Sequence, residues 1–359
     1  MKTLHIFNPE HEIALAINLA HFTPPHAGRQ LRADLGWLPA LWADLDDYVL
    51  VDHAEAARKA YERLRRRLNR PAVKFVDRRE LPHLDVLQVK PWGWDAAIAT
   101  DLRRWGVADS LLPEASLLEQ WRQVAHRRTS ARLLPSLRLE GTVGEAVECS
   151  TLEQVENCMA RWQRVVVKAP WSSSGRGVRF LDGNKLMAES DGAPEMKWIK
   201  NVINQQGSVM VEPFYDKVKD FGMEFEVGAD GKIHYLGLSL FHTKNSAYVG
   251  NVLATEEWKL QEMARYVSIE LLEDIRQRIE EQLELADYQG PFGIDMMVVK
   301  GAKKATATEK TLLLHPCVEL NLRRTMGHVA LSLSPADYDV RKVMRIELTD
   351  HYKLHINKL

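Results

Sequence analysis

Val165-Val166-Val167-Lys168-Ala169-Pro170-Trp171-Ser172-Ser173-Ser174-Gly175-Arg176-Gly177-Val178 reads as an apolar strand that ends on a lysine and opens into a small, hydroxyl-rich loop. A point cation at a strand end, followed by serines and glycines whose backbone N–H groups can approach an anion without Cβ obstruction, suits a chain of phosphates. A flexible surface turn is the competing reading of the loop taken alone. A second stretch weighs against that reading. Gly293-Ile294-Asp295 is followed, after the polar turn 301–310, by Val318-Glu319-Leu320-Asn321-Leu322-Arg323-Arg324. Strand alternation puts Glu319 and Asn321 on one face, and Asp295 on a paired strand can join them. Two carboxylates and an amide suit magnesium when it also bridges substrate phosphates. Arg323 falls on the same face if the strand extends that far, ready to meet an anion. A carboxylate pair on a solvated hairpin is the alternative, and the flanking Ile294, Val318, Leu320 and Leu322 favour burial.

The rest of the chain limits what this site can belong to. With 359 residues it can hold two or three subdomains around a shared core. A formal charge of −1, with 27% charged and 45% hydrophobic residues, gives no global attraction to nucleic acid or membrane. Cys149, Cys158 and Cys317 have no metal spacing and cannot complete a disulfide framework, which fits a reducing, cytoplasmic setting. No apolar run approaches the roughly 20 residues of a membrane helix. Neither a Walker A sequence nor Gly-x-Gly-x-x-Gly occurs, which excludes the P-loop and the dinucleotide fingerprint.

The element pattern predicts α/β followed by α+β. Strands at 3–7, 48–51 and 73–76 alternate with helices after Asn8-Pro9, at 54–68 and at 95–105, as a parallel sheet requires. Asn8-Pro9-Glu10 reads as a helix start, with Asn8 as its cap. From about residue 115 the pattern changes to a helix over 115–134 and strands at 165–168 and 209–213. A hairpin of 223–227 with 233–241, a long helix over 256–288 and the hairpin 293–320 follow.

These residues, in this order, resemble the ATP-grasp superfamily of carboxylate–amine and carboxylate–thiol ligases over roughly residues 115–332. The resemblance implies a Rossmann-like preceding domain over residues 1–114. An ATP-grasp domain follows over 115–359, made of α+β subdomains at 115–213 and 214–332 and a C-terminal extension at 333–359. It further implies that Lys168, Ser172, Ser173, Ser174, Gly175 and Gly177 contact the phosphates of ATP. Arg128 stands where the family usually has a second cation, often lysine. Glu212, Pro213 and Phe214 resemble the hinge that meets adenine, and Asp220 the acid that takes the ribose hydroxyls. Asp295, Glu319 and Asn321 match the ligands of Mg2+ (or Mn2+), and Arg323 the arginine near the transferred phosphate. Lys244, in the loop after a strand, is a further anion contact by resemblance, against the plainer reading of a solvated lysine.

The activity so implied is activation of a carboxylate as an acyl phosphate and its transfer to an amine, on a small metabolite or short peptide. Modification of a protein, phosphorylation of a small-molecule hydroxyl and a non-catalytic nucleotide-binding module are the alternatives. A homodimer is the base-rate expectation for assembly. Two features stay outside this scheme: Asn8-Pro9-Glu10-His11-Glu12, read first as an ordinary helix cap, and the basic run Arg63–Arg70, read as a solvated helix face rather than a nucleic-acid surface.

Overall fold

The computed structural model describes residues 2–172, 177–183, 194–244, 247–301 and 311–359. Its strands form sheets of four, four and seven. The first sheet joins β1 (Thr3–Ile6), β2 (Tyr48–Leu50), β3 (Lys74–Val76) and β4 (Gln88–Pro91) in the order β3-β2-β1-β4, and every pairing is parallel. Parallel strands need crossovers, which the helices His26–Leu35 and Ala54–Leu68 supply. Leu4, Ile6, Leu50 and Val76 pack on one face with Ile98 and Leu102 of the helix Ala96–Arg104. Val49, Val51 and Phe75 pack on the other with Ala57, Tyr61 and Leu64.

The second sheet runs β5 (Val147–Cys149), β8 (Val209–Pro213), β6 (Arg164–Lys168) and β7 (Val178–Asp182), all antiparallel. Its inner face meets the helices Leu152–Trp162 and Pro194–Gln206 through Val165, Val167, Val211, Val155 and Ile199. The third sheet holds β9 (Lys217–Val227), β10 (Ile233–Lys244), β11 (Ala247–Leu253), β12 (Gly290–Lys300), β13 (Leu312–Asn321), β14 (Lys342–Leu348) and β15 (Tyr352–Lys358). Their order is β13-β12-β9-β10-β11-β14-β15. No described helix is long and apolar enough to cross a membrane.

Three local expectations change. Asn8 does not cap the first helix, His11–Ile17; its amide instead donates to the Gly93 carbonyl (2.9 Å) and to Asp95 (3.3 Å). The helix foreseen over 115–134 breaks into Ala115–Val124 and Arg128–Leu133, with the His126 ring accepting the Arg128 N–H at the break. The helix foreseen over 256–288 is also two, Glu256–Met263 and Ile269–Gln282, because Ser268 caps a new start on the Leu271 N–H. The C-terminal residues join the third sheet: β14 pairs with β11, and Met344 shares a core with Val49 and Tyr61 of the N-terminal layer. Leu253, Val329 and Ala330 join that same core, which ties the first sheet to the third.

Two glycines of the third sheet and its covering helix (Met326–Leu333) back onto Glu224. A Cβ at Gly327 would fall 1.8 Å from Glu224 Oε1, and one at Gly293 would fall 2.5 Å from Glu224 Oε2. Gly327→Ala is expected to cost about 1–3 kcal/mol, the range for overpacking a filled core, and to lower the thermal midpoint. An unchanged midpoint would contradict this packing.

Candidate active site

The pairing of β12 with β13 sets Asp295 opposite Glu319 and Gly293 opposite Asn321. The register slips between Asp295 and Met297, so that Met297 faces His315. The irregularity therefore lies beside the two acids, where bulges commonly re-aim side chains. On its other side β12 pairs with β9, placing Asp295 against Gly222. Asp220 and Glu224 share a face of β9 with Gly222 by the period of two. A Cβ at Gly222 would lie 3.5 Å from Asp295 Oδ1 and 3.7 Å from Glu224 Oε1, so the glycine leaves room for two acids at one point of the sheet.

The two neighbouring carboxylates raise the proton affinity of Asp295. Burial, then Glu319, then Glu224 push Asp295 up to about 8, against the opposing pull of Arg323 and an Asn321 amide donating at 3.3 Å. Glu224 itself accepts from the Thr325 hydroxyl at 2.8 Å, with His328 Nδ1 at 3.0 Å. Neither Glu224 nor its partners stands out in sequence, because nothing local marks a buried strand glutamate as part of a site.

The other wall comes from the second sheet. Lys168, at the end of β6, reaches across to β8 and pairs with Glu212 at 2.6 Å, both groups being buried. Gly177 sits where any side chain would collide with Ser172: its Cβ would fall 2.2 Å from Ser172 Oγ. The Gly177 carbonyl also accepts the Ala169 N–H at 2.8 Å, so the two ends of the loop are closed against each other. Ser173, Ser174 and Gly175, within that loop, lie outside the described residues. Pro213 pairs with Val165. Phe214 follows, its N–H bonded to the Arg164 carbonyl and its ring under the Arg164 guanidinium at 3.9 Å.

A residue missed in the sequence joins the two walls. Arg127, almost fully buried, donates through one terminal nitrogen to the Ala169 carbonyl and to Ser172 Oγ (2.8 Å). Its other terminal nitrogen donates to Glu319 Oε1 at 2.7 Å. Arg128, the cation singled out by resemblance, turns the other way and pairs with Glu148 of β5 at 3.1 Å. A helix break between 124 and 128 decides which of two adjacent arginines faces Glu319, and residue type could not reveal that.

The N-terminal layer supplies a second unforeseen partner. Arg323 Nε donates to Glu12 Oε1 at 2.7 Å while its Nη2 donates to the Asn321 side-chain oxygen at 2.8 Å. Burial pushes the Glu12 carboxyl up, but Arg323 and His11 outweigh it and hold it below the usual range. Around it His11 pairs with Asp95 (2.9 Å) and Glu10 with Arg32 (2.7 Å). The segment 8–12 is thus a buried polar junction at the end of β1, the edge where α/β sheets take ligands.

Asp220 is held by Lys217 (2.5 Å) and the Thr243 hydroxyl (2.6 Å). Lys244 closes β10 opposite Ala247, and its side chain lies outside what is described. Among the described residues, no three His, Cys, Asp or Glu side chains stand close enough to hold a metal by themselves. The donor set of Asp295, Glu319 and Asn321 suits magnesium, which keeps water and phosphate oxygens in its shell and needs one or two carboxylates from protein.

No protein-family model matches this chain. No curated protein matches it by sequence. Among solved structures it is similar to N5-carboxyaminoimidazole synthetase from Staphylococcus aureus complexed with ADP, at 12% identity and a TM-score of 0.51, over 97% of this chain and 82% of that one. It is also similar to the biotin carboxylase domain of the Hydrogenobacter thermophilus 2-oxoglutarate carboxylase, in complex with MgADP, ADP and bicarbonate. There the identity is 10% and the TM-score 0.50, over 96% of this chain and 74% of that one. A biotin carboxylase from Campylobacter jejuni matches at 11% identity and a TM-score of 0.50, over 96% and 75% of the two chains. This protein has the ATP-grasp fold.

Proposed function

We propose that this protein is an ATP-dependent carboxylate–amine ligase, which activates an acid as an acyl phosphate and joins it to an amine with release of ADP and phosphate. One observation carries the reading: a single guanidinium, Arg127, touches both the base of the phosphate-type loop and Glu319, which supports one shared cleft for both halves of the site. The ADP and MgADP held by the similar structures support a nucleotide in that cleft.

In this reading Lys168, Ser172 and Gly177, with Ser173, Ser174 and Gly175, hold the phosphates. Glu212, Pro213 and Phe214 meet the adenine and Asp220 the ribose. Asp295, Glu319 and Asn321 would hold magnesium, which when bound would offset charge on the phosphate oxygens. Arg323 offsets charge growing on the transferred group, Glu12 fixes the plane of that guanidinium, and Lys244 contacts an anionic oxygen. A substrate carboxylate attacks the γ-phosphorus in line and ADP leaves. An amine then attacks the acyl carbon, and phosphate leaves. No protein nucleophile is needed, so the work is positioning and charge compensation.

Phosphate release should depend on both an acid and an amine, and hydroxylamine in place of the amine should yield a hydroxamate. Lys168→Ala and Glu319→Ala should each lower turnover by about 10²–10³-fold. Full activity in both variants would refute the assignment.

Glu12→Gln should lower kcat by about 10–100-fold, the usual scale for a residue that orients another group, with little change in KM for ATP. Glu12→Asp should recover part of the loss. An equal fall in both kinetic constants, with no rescue, would point to a structural role only.

Asp295 also makes the metal-free protein sensitive to pH. Its carboxyl titrates near 3.8 when unfolded and at about 8 when folded. The folded state therefore binds the extra proton between those values, and stability from this group is full below about 4 and lost as pH rises through about 8. Asp295→Asn should flatten the fall in thermal midpoint across that window. The same slope in variant and wild type would remove Asp295 as its source.

A further inference from the structure

The cations of the cleft already have acid partners. Lys168 is paired with Glu212, Arg323 with Glu12 and Arg127 with Glu319. The third pair differs from the others, because its acid is one that a metal would claim. Glu319 keeps a side-chain exposure of 24%, while the Arg127 side chain keeps 7%. The acid is the more exposed of the two and the guanidinium the more buried. A metal that took Glu319 would strand a buried positive charge, a costly outcome unless another anion replaces the carboxylate. Among the described residues, the guanidinium is also one bond short: Arg127 Nε is buried and has no acceptor there. An anion rich in oxygen atoms offers what this arrangement lacks.

We propose that Arg127 is a tethered counter-cation that bars a bare divalent metal from Glu319 and yields the acid only to a metal arriving with a polyphosphate. The inference rests on the ligase reading for the identity of the polyphosphate. Arg127 is then a positioning residue. It holds Glu319 ready, couples it to Ser172 at the base of the loop, and transfers its charge from carboxylate to phosphate oxygen when both enter. Metal and nucleotide therefore bind as one unit. Free metal does not occupy Asp295 and Glu319 beforehand, and a neutral side chain at 127 removes the discrimination. No bond is made or broken in this exchange; one ion pair replaces another.

The test uses the full chain and two titrations. Mn2+ alone is added without nucleotide, and the free ion is counted by electron paramagnetic resonance; Mg–ADP is titrated separately by calorimetry. Arg127→Gln should bind Mn2+ alone about tenfold tighter than wild type, equivalent to about 1.4 kcal/mol, and should bind Mg–ADP more weakly. Arg127→Lys, which keeps the charge but loses the two-pronged contact, should fall between them for Mn2+. It also decides the matter if the glutamine variant does not fold. Mn2+ affinity unchanged or weaker in the folded variants would overturn the proposal. If wild type binds no Mg–ADP while the glutamine variant still gains Mn2+, the ligase reading fails and the counter-cation role stands.

Discussion

Carboxylates placed side by side in a protein interior must be protonated, paired with cations or given a metal, because a lone buried charge is too costly to keep. That constraint shapes the centre of this molecule. Asp295, Glu319 and Glu224 meet where β9, β12 and β13 run together, and each resolves the problem differently. Glu319 takes Arg127, Glu224 takes the Thr325 hydroxyl beside His328, and Asp295 keeps its proton to about 8. That much polar compensation at one point of a sheet marks a polar site rather than a dry core.

The layers exist to bring those compensating groups from far apart. Arg127 spans 192 residues to reach Glu319, and Glu12 spans 311 to reach Arg323. The core shared by Val49, Tyr61, Val329 and Met344 fixes the N-terminal layer against the third sheet, so Glu12 arrives at a defined place. The C-terminal strands contribute to the same anchoring through β14, which packs Met344 into that core while pairing with β11.

What could be read in the sequence was what lies close together along it. The lysine-ending strand before a Ser/Gly loop, and the alternation of Glu319 and Asn321, are local patterns with a physical meaning that survives without a structure; the strand ends at Asn321, so Arg323 lies beyond it. The parallel N-terminal layer was legible for the same reason, since strands and helices alternate there at crossover lengths. Arg127 was hidden because its neighbour Arg128 has the same chemistry, and only the break at His126 separates their directions. Glu12 was hidden because acids early in a helix have a sufficient local explanation in the helix dipole. The pairing of 342–348 with 352–358 flanks the polar turn Thr349-Asp350-His351, a local hairpin pattern. Glu224 is marked only by Gly222, Gly293 and Gly327, three glycines from separate segments that converge on it.

The most direct test of this account is a crystal structure of the protein with magnesium and a non-hydrolysable ATP analogue. The account predicts phosphates lying between Lys168 and Asp295, a metal on Glu319 and Asn321, and the Arg127 guanidinium moved from carboxylate to phosphate oxygen. Nucleotide bound elsewhere, or Arg127 still on Glu319 with the metal absent from the acids, would contradict it.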